Sequence, residues 1–427
     1  MSRNTIEKKV EVYSRDTCRL CECKKLELVM PLKPIPSADD FVPIDSGIEP
    51  QKCYPLDVYL CRNCGLVQLL DIFNPEYIYP KYLYETTTSL GLVEHFQAYA
   101  KDVLGRIKPK KGSLVVELGS NDGTLLNFFQ KEGMNVLGID PARAIAQKAN
   151  KTGVETWPEF FTIDLSERIK KEKGSAEVVI ANNVFANIDD VDHLVKAIRN
   201  VLSPTGVYIF ETGYIIDSVR NLVFDNIYHE HVSYFSVKPL VQFFKKHGME
   251  LIQVDQVDTK GGSIRGTVQL AGGRRPIELS VAALVKSEID QGFYGPDVYK
   301  KLIQRINEEK KQVLDLFKEA KKNGKKIAGY GACQGVTALM YYYEVAPYFD
   351  FIVDDNPRKH NTLTPGNHLP VYDSNVIYEK KPDYVLIMPW RYAEPIIKRH
   401  QKYLEQIGQF VMPLPKFEII RKGKLLR

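Results

Sequence analysis

No run of apolar residues in this 427-residue chain approaches the roughly 20 that a membrane-spanning helix needs. The opening residues, Met1-Ser2-Arg3-Asn4, lead into charged side chains rather than the apolar stretch of a secretory signal. A cytoplasmic protein with no membrane partner is expected. A strong charge of either sign is missing too. The net charge of +5 is spread over 58 basic and 53 acidic residues, which gives no ground for a nucleic-acid partner but suits an anionic small molecule. Repeats, low-complexity tracts and long disordered linkers are absent. No exposed apolar helix stands out, so a monomer is expected. The length exceeds one ordinary core and suggests about three domains. Since a reducing compartment disfavours disulfides, the seven cysteines read as ligands or free thiols.

Four of those cysteines form two Cys-x-x-Cys pairs, Cys18/Cys21 and Cys61/Cys64. Each spacing lets two thiolates grip one ion from a tight turn, and together they complete a tetrahedral structural zinc site with no open position for substrate. The gap between the pairs is longer than in an ordinary zinc ribbon, so residues 22–60 must fold as an excursion; their prolines fit that. Cys23 and Cys53 are surplus. An aromatic and hydroxyl patch follows, with Tyr77, Tyr79, Tyr82 and Tyr84 before Thr86-Thr87-Thr88-Ser89. It reads either as the lining of a sugar or phosphate pocket or as an interdomain seam.

The strand Leu114–Leu118 runs into Gly119-Ser120-Asn121-Asp122-Gly123, with a helix from Thr124. Glycines at the carboxyl end of a first strand let a ligand approach the backbone. The pattern Glu117-x-Gly119-x-x-x-Gly123 favours S-adenosylmethionine over a dinucleotide, because the former has no pyrophosphate for the helix to cap. A second strand, Asn135–Ile139, ends in Asp140-Pro141, where a carboxylate can accept both ribose hydroxyls. A third, Ala176–Ile180, leads to Asn182-Asn183 near the donor, and a fourth, Gly206–Phe210, ends in Glu211. This alternation predicts a doubly wound α/β sheet with its ligand at the strand carboxyl ends.

Tyr228-His229-Glu230-His231 is walled by apolar residues on both sides. An imidazole titrates near neutral pH, and a carboxylate and phenol beside it can orient a base or hold an oxyanion. A structural cluster or a metal site is the other reading. Lys260-Gly261-Gly262-Ser263-Ile264-Arg265 is a glycine-rich turn. A long amphipathic helix spans 297–323, with Leu302, Ile306, Val313 and Phe317 on one face. Beyond it, Gly329-Tyr330-Gly331 opens a second Rossmann-like unit, with later strands ending in Asp354 and running into Trp390. Alone, that unit suggests a nicotinamide-dependent oxidoreductase, although Gly329, Gly331 and Gly335 are spaced one residue too widely for the dinucleotide fingerprint.

In this order, the paired Cys-x-x-Cys motifs, the Tyr82/Tyr84 patch, Glu117–Gly123 and Phe224-Asp225-Asn226-Ile227-Tyr228-His229-Glu230-His231 make the whole chain resemble the nucleotide-sugar C-methyltransferases of branched deoxysugar biosynthesis. The resemblance implies a zinc-binding domain at 1–80, a class I S-adenosylmethionine-binding domain at 81–258 and a Rossmann-like nucleotide-sugar-binding domain at 259–427. It implies donor contacts from Glu117, Gly119, Asn121, Asp122, Gly123, Asp140, Pro141, Asn182 and Asn183. The reaction it implies is methylation at C3 of a 4-keto-6-deoxy sugar on a diphosphonucleotide. His231 would be the base, Tyr228 with Tyr82 or Tyr84 would meet the enolate oxygen, and Glu230 would orient the base or bind hydroxyls. Thr87, Ser89, Asn187, Lys260, Arg265, Tyr330, Gly331, Asp354, Arg358 and Trp390 would contact the nucleotide sugar. The chain departs from the family pattern at Asn187, often a histidine there, at His229, often acidic, and over 332–336.

Overall fold

The computed structural model describes residues 12–47, 49–79, 86–88 and 91–422. Its middle unit is built on a seven-stranded sheet. Strand Leu114–Leu118 lies between Asn135–Ile139 and Ala176–Asn182, and all three are parallel. Thr156–Trp157 extends one side, and Leu202–Gly213 the other. Every residue of Leu114–Leu118 is buried, which explains its unbroken apolar pattern: helices cover both faces of a parallel sheet. The chain crosses from one side of this strand to the other, and such a switch point leaves a crevice at the strand carboxyl ends. Two antiparallel strands, Ser263–Leu270 and Met249–Val257, close the far edge.

The C-terminal unit has an eight-stranded sheet. Its core is parallel: Gln409–Met412, Tyr384–Ile387, Ile327–Tyr330, Phe351–Asp354 and Pro370–Asp373 lie side by side. The amphipathic helix is observed at Asp297–Lys322 and buries Leu302, Ile306, Val313 and Phe317, the face its periodicity predicts.

A four-stranded antiparallel sheet carries the cysteines, with Leu26–Met30, Val58–Cys61 and Val67–Leu69 in sequence and Ser233–Tyr234 at its edge. That last strand begins two residues after His231. Strand Val42–Pro43 leaves the zinc region and pairs with Thr362–Leu363 in the C-terminal sheet. Strand Ser263–Leu270, beyond the expected limit at 258/259, belongs to the middle sheet. The sheets thus exchange strands across both expected limits.

Candidate active site

A cavity of about 550 Å³ opens at the carboxyl ends of the three central parallel strands. Of the residues singled out from sequence, Glu117, Gly119, Asn121, Asp140, Pro141, Asn182, Asn183, Asn187, Tyr228, His231 and Lys260 line it. Donor loop and histidine segment therefore share one chamber. Gly119 has φ 65°, and a Cβ there would come within 2.3 Å of Val184 Cγ2, so no larger residue fits the turn. The Asp140 carboxylate closes the loop by accepting from Asn121 N at 2.8 Å and Ala142 N at 2.9 Å.

Asp122, Gly123 and Thr87 do not line the cavity among the described residues. The Asp122 carboxylate accepts from Thr87 N and Oγ1 at 3.2 and 3.1 Å, and from Thr124 Oγ1 at 2.6 Å. Asn121 Oδ1 accepts from Thr86 N at 2.9 Å. These side chains dock the turn Thr86–Thr88 against the glycine loop. Tyr82, Tyr84 and Ser89 lie outside the described residues; Tyr79, from the same aromatic patch, lines the cavity.

The histidine segment forms a directed relay. His231 Nδ1 lies 2.9 Å from the carbonyl of Asn226. A carbonyl only accepts, so Nδ1 carries the proton and Nε2 is left as acceptor. Tyr228 Oη donates to that Nε2 at 2.9 Å. Burial lowers the His231 pKa to about 4, opposed by the Asn226 carbonyl and assisted by the Lys260 charge, so the ring is neutral at pH 7. Glu230 makes no hydrogen bond to the His231 ring among the described residues. Its side chain is buried outside the cavity lining, with Oε2 unpartnered, and burial raises its pKa to about 7.

Lys260 faces the same space from a left-handed turn, φ 53°, and desolvation in the cavity wall brings its pKa down to about 8. A buried charge network holds that turn. Glu211, at the end of its strand, accepts from Thr259 Oγ1 at 2.9 Å and Arg265 Nη2 at 2.8 Å, and lies 2.9 Å from His95 Nε2. Arg265, expected to face a ligand, instead gives its donors to Glu211 and Asp102 and stacks over Tyr99.

Tyr330, Gly331, Asp354, Arg358 and Trp390 lie apart from this cavity among the described residues. Asp354 accepts from Ala332 N at 2.6 Å, closing the C-terminal glycine turn much as Asp140 closes the middle one. Trp390 Nε1 and Arg391 Nη1 both donate to Asp225 Oδ1, at 3.2 and 2.6 Å, three residues before Tyr228.

The cysteine sulfurs of Cys18, Cys21, Cys61 and Cys64 all lie within 4.8 Å of one another. Cys18–Cys64 and Cys21–Cys61 are each 3.6 Å apart, whereas Cys23 and Cys53 stand outside the group.

Comparison with known proteins matches residues 18–79 to a zinc binding domain, 92–254 to a methyltransferase domain and 258–415 to a C-methyltransferase C-terminal domain. C-methyltransferase NovU of Streptomyces niveus is 31% identical over 406 residues, covering 95% of this chain and 97% of that protein. This chain belongs to that C-methyltransferase family. It is an S-adenosylmethionine-dependent C-methyltransferase, and the oxidoreductase reading of its C-terminal glycines is not favoured. A ubiquinone biosynthesis O-methyltransferase of Colwellia psychrerythraea is 22% identical over 34% of this chain and 63% of its own length. Magnesium protoporphyrin IX methyltransferase of Synechocystis PCC 6803, solved with bound SAM, is 11% identical over 43% of this chain and 86% of that one, at a TM-score of 0.32; that score adds nothing to the assignment.

The residues of this C-methyltransferase fit both groups. Zinc with sulfur ligands at about 2.3 Å needs sulfurs about 3.8 Å apart, close to the paired distances. At the donor loop, Glu117 Oε2, Ser120 Oγ and both polar atoms of the Asn182 amide are buried without a hydrogen-bond partner among the described residues. Burial, with Asp122 and Asp140 adding, holds the Glu117 carboxyl well above its usual range. A ligand bearing amine and hydroxyl groups would complete these atoms. Several lining residues were not singled out from sequence: Tyr13, Phe160, Asp189, His193 and Gln334. Asp189 follows Asn187-Ile188 directly, so proximity to a suspected contact was the one available signal.

Proposed function

We propose that this enzyme methylates C3 of a 4-keto-6-deoxyhexose carried on a diphosphonucleotide such as dTDP or GDP, through an enolate, in cytoplasmic branched-sugar biosynthesis. The observation that carries the reading is the Asn226–His231–Tyr228 relay opening into the same cavity as the donor loop. Carbon becomes nucleophilic only when a neighbouring carbonyl lets a C–H proton leave, so the reaction needs a neutral base and an oxyanion donor side by side. Bound S-adenosylmethionine supplies an electrophilic methyl group.

On entry of a substrate carbonyl, the Tyr228 hydroxyl transfers its hydrogen bond from His231 Nε2 to that oxygen. The freed Nε2 takes the C3 proton, and the Asn226 carbonyl holds the imidazolium that forms. With a pKa near 4 the base is available but weak, so stabilisation of the enolate oxygen must carry much of the barrier. Preorganised donors give a few kcal/mol each. Tyr228 and the Lys260 ammonium are placed for this, with Tyr82 or Tyr84 as a further phenol. The enolate carbon would then take the methyl group as the methyl–sulfur bond breaks, with S-adenosylhomocysteine as the leaving product, and the proton on His231 leaves to solvent.

Asn187 and Lys260 are the proposed acceptor contacts within the cavity, and Thr87 acts by bracing Asp122. Tyr330, Gly331, Asp354, Arg358 and Trp390 are proposed to meet the nucleotide. They cluster around the carboxyl ends of the C-terminal parallel strands, where open α/β sheets bind ligands.

Mass spectrometry of the enzyme with S-adenosylmethionine and a panel of 4-keto-6-deoxy nucleotide sugars tests this. Gain of one methylene mass on one member is expected. No gain on any member, with the donor shown to bind, removes the sugar assignment. His231→Ala should also abolish exchange of the C3 proton with deuterated water; undiminished exchange takes His231 out of the base role.

A further inference from the structure

The zinc site has no open position for substrate, yet one residue between its ligands bonds a residue that lines the reaction chamber. Arg19 sits between Cys18 and Cys21, and its side chain is fully buried. Its planar guanidinium engages three directions at once. Nε donates to Asp189 Oδ1 at 2.8 Å. Nη1 donates to the carbonyl of Val232 at 2.7 Å, the residue after His231. Nη2 donates to the carbonyl of Leu69 at 3.1 Å, within the zinc-bearing sheet.

We propose that Arg19 is a positioning residue through which the zinc knuckle holds the donor end of the cavity and the His231 segment in register. Asp189 lines the cavity, and among the described residues its carboxylate is gripped from the N-terminal unit: by Arg19, by Arg15 Nη1 at 3.0 Å and by the Tyr13 hydroxyl at 3.0 Å. A zinc ion held by the four cysteines would fix the chain on both sides of Arg19, at Cys18 and Cys21, so the guanidinium could not drift without opening the knuckle. Only a planar fork can meet three acceptors this way. Removing it would leave the Val232 carbonyl without its charged partner in the interior, a cost that invites local rearrangement. The inference rests on donor and zinc binding and is independent of the acceptor.

The test uses the full-length enzyme, with zinc content read by elemental mass spectrometry and affinity for S-adenosylhomocysteine by calorimetry. Arg19→Met should keep the parent's zinc content and bind S-adenosylhomocysteine about tenfold more weakly, equivalent to about 1.4 kcal/mol. Asp189→Asn should weaken binding similarly, and the double variant should be no weaker than the worse single one. Lys24→Ala, which breaks an exposed pair with Asp16 beside the knuckle, should match the parent. Arg19→Met with full zinc and parental affinity overturns the proposal, as does full additivity in the double variant. If Arg19→Met does not fold, Arg19→Lys decides: it keeps the charge, but its compact ammonium lacks the planar reach to acceptors on three sides, so weaker binding is expected and parental affinity overturns the idea.

Discussion

His229 and His231 stand two residues apart, and burial pushes both to a pKa of about 4. Their surroundings differ completely. His229 is 2% exposed, gives Nε2–H to the Pro55 carbonyl at 3.1 Å, and packs edge-on against Phe73 with ring centres 4.8 Å apart. His231 is half-buried, faces the cavity, and keeps an accepting nitrogen beside a phenol. A depressed pKa therefore does not single out the histidine that faces the cavity. What separates the pair is where the second nitrogen looks, into packed protein or into the chamber.

Substitutions should separate the two along that line. His231→Ala is expected to lower kcat by roughly 100- to 10,000-fold, the range of general base catalysis, and to shift the urea midpoint less than His229→Ala does; a stability loss without the loss of kcat would make His231 structural. Tyr228→Phe should lower kcat by about 10- to 100-fold without changing S-adenosylhomocysteine affinity, as read by steady-state kinetics and calorimetry. His229→Ala should do the reverse of His231→Ala. It removes a buried ring that packs against Tyr54 and Phe73, at a cost of about 1–3 kcal/mol in urea unfolding, while the folded fraction keeps kcat within a few-fold.

The smallest effect is on pH dependence. Both histidines are depressed from 6.5 to about 4, so between those values the unfolded chain binds more protons and stability falls as pH drops from 6.5 towards 4. Glu230 is raised from 4.5 to about 7 and works the other way, losing stability as pH rises through that window. His229→Gln should remove one of the two destabilising protonations. Its urea midpoint should then change less between pH 7.5 and pH 5 than the parent's, and an equal change would remove His229 from this linkage.

Local pattern made much of this molecule readable. The apolar strands, the glycine turn at Gly119, the acid at Asp140 and the paired cysteines were all placed by short-range chemistry, and the structure has them together. The misplaced expectations turned on distant partners. Arg265 looked like a ligand contact because it follows glycines, but its strand pairs antiparallel with Leu202–Gly213, setting Arg265 opposite Glu211. Glu230 adjoins His231 in sequence, yet neighbours along an irregular segment need not share a face. The group that meets His231 Nδ1 is a backbone carbonyl, at Asn226, and no side-chain pattern announces a carbonyl. Asp189 and Tyr13 enter the chamber only through tertiary contacts with the cysteine-bearing unit.

The two-residue strand Val42–Pro43 has a consequence for how this enzyme can be taken apart. It covers the outer edge of the C-terminal sheet at Thr362–Leu363, while Ser233–Tyr234 returns the favour at the edge of the cysteine-bearing sheet. A fragment cut out at either expected limit would lose a neighbour and expose unpaired backbone, which recruits other chains. Swapping one of these units for that of a relative would therefore succeed only if the borrowed edge strand travelled with it.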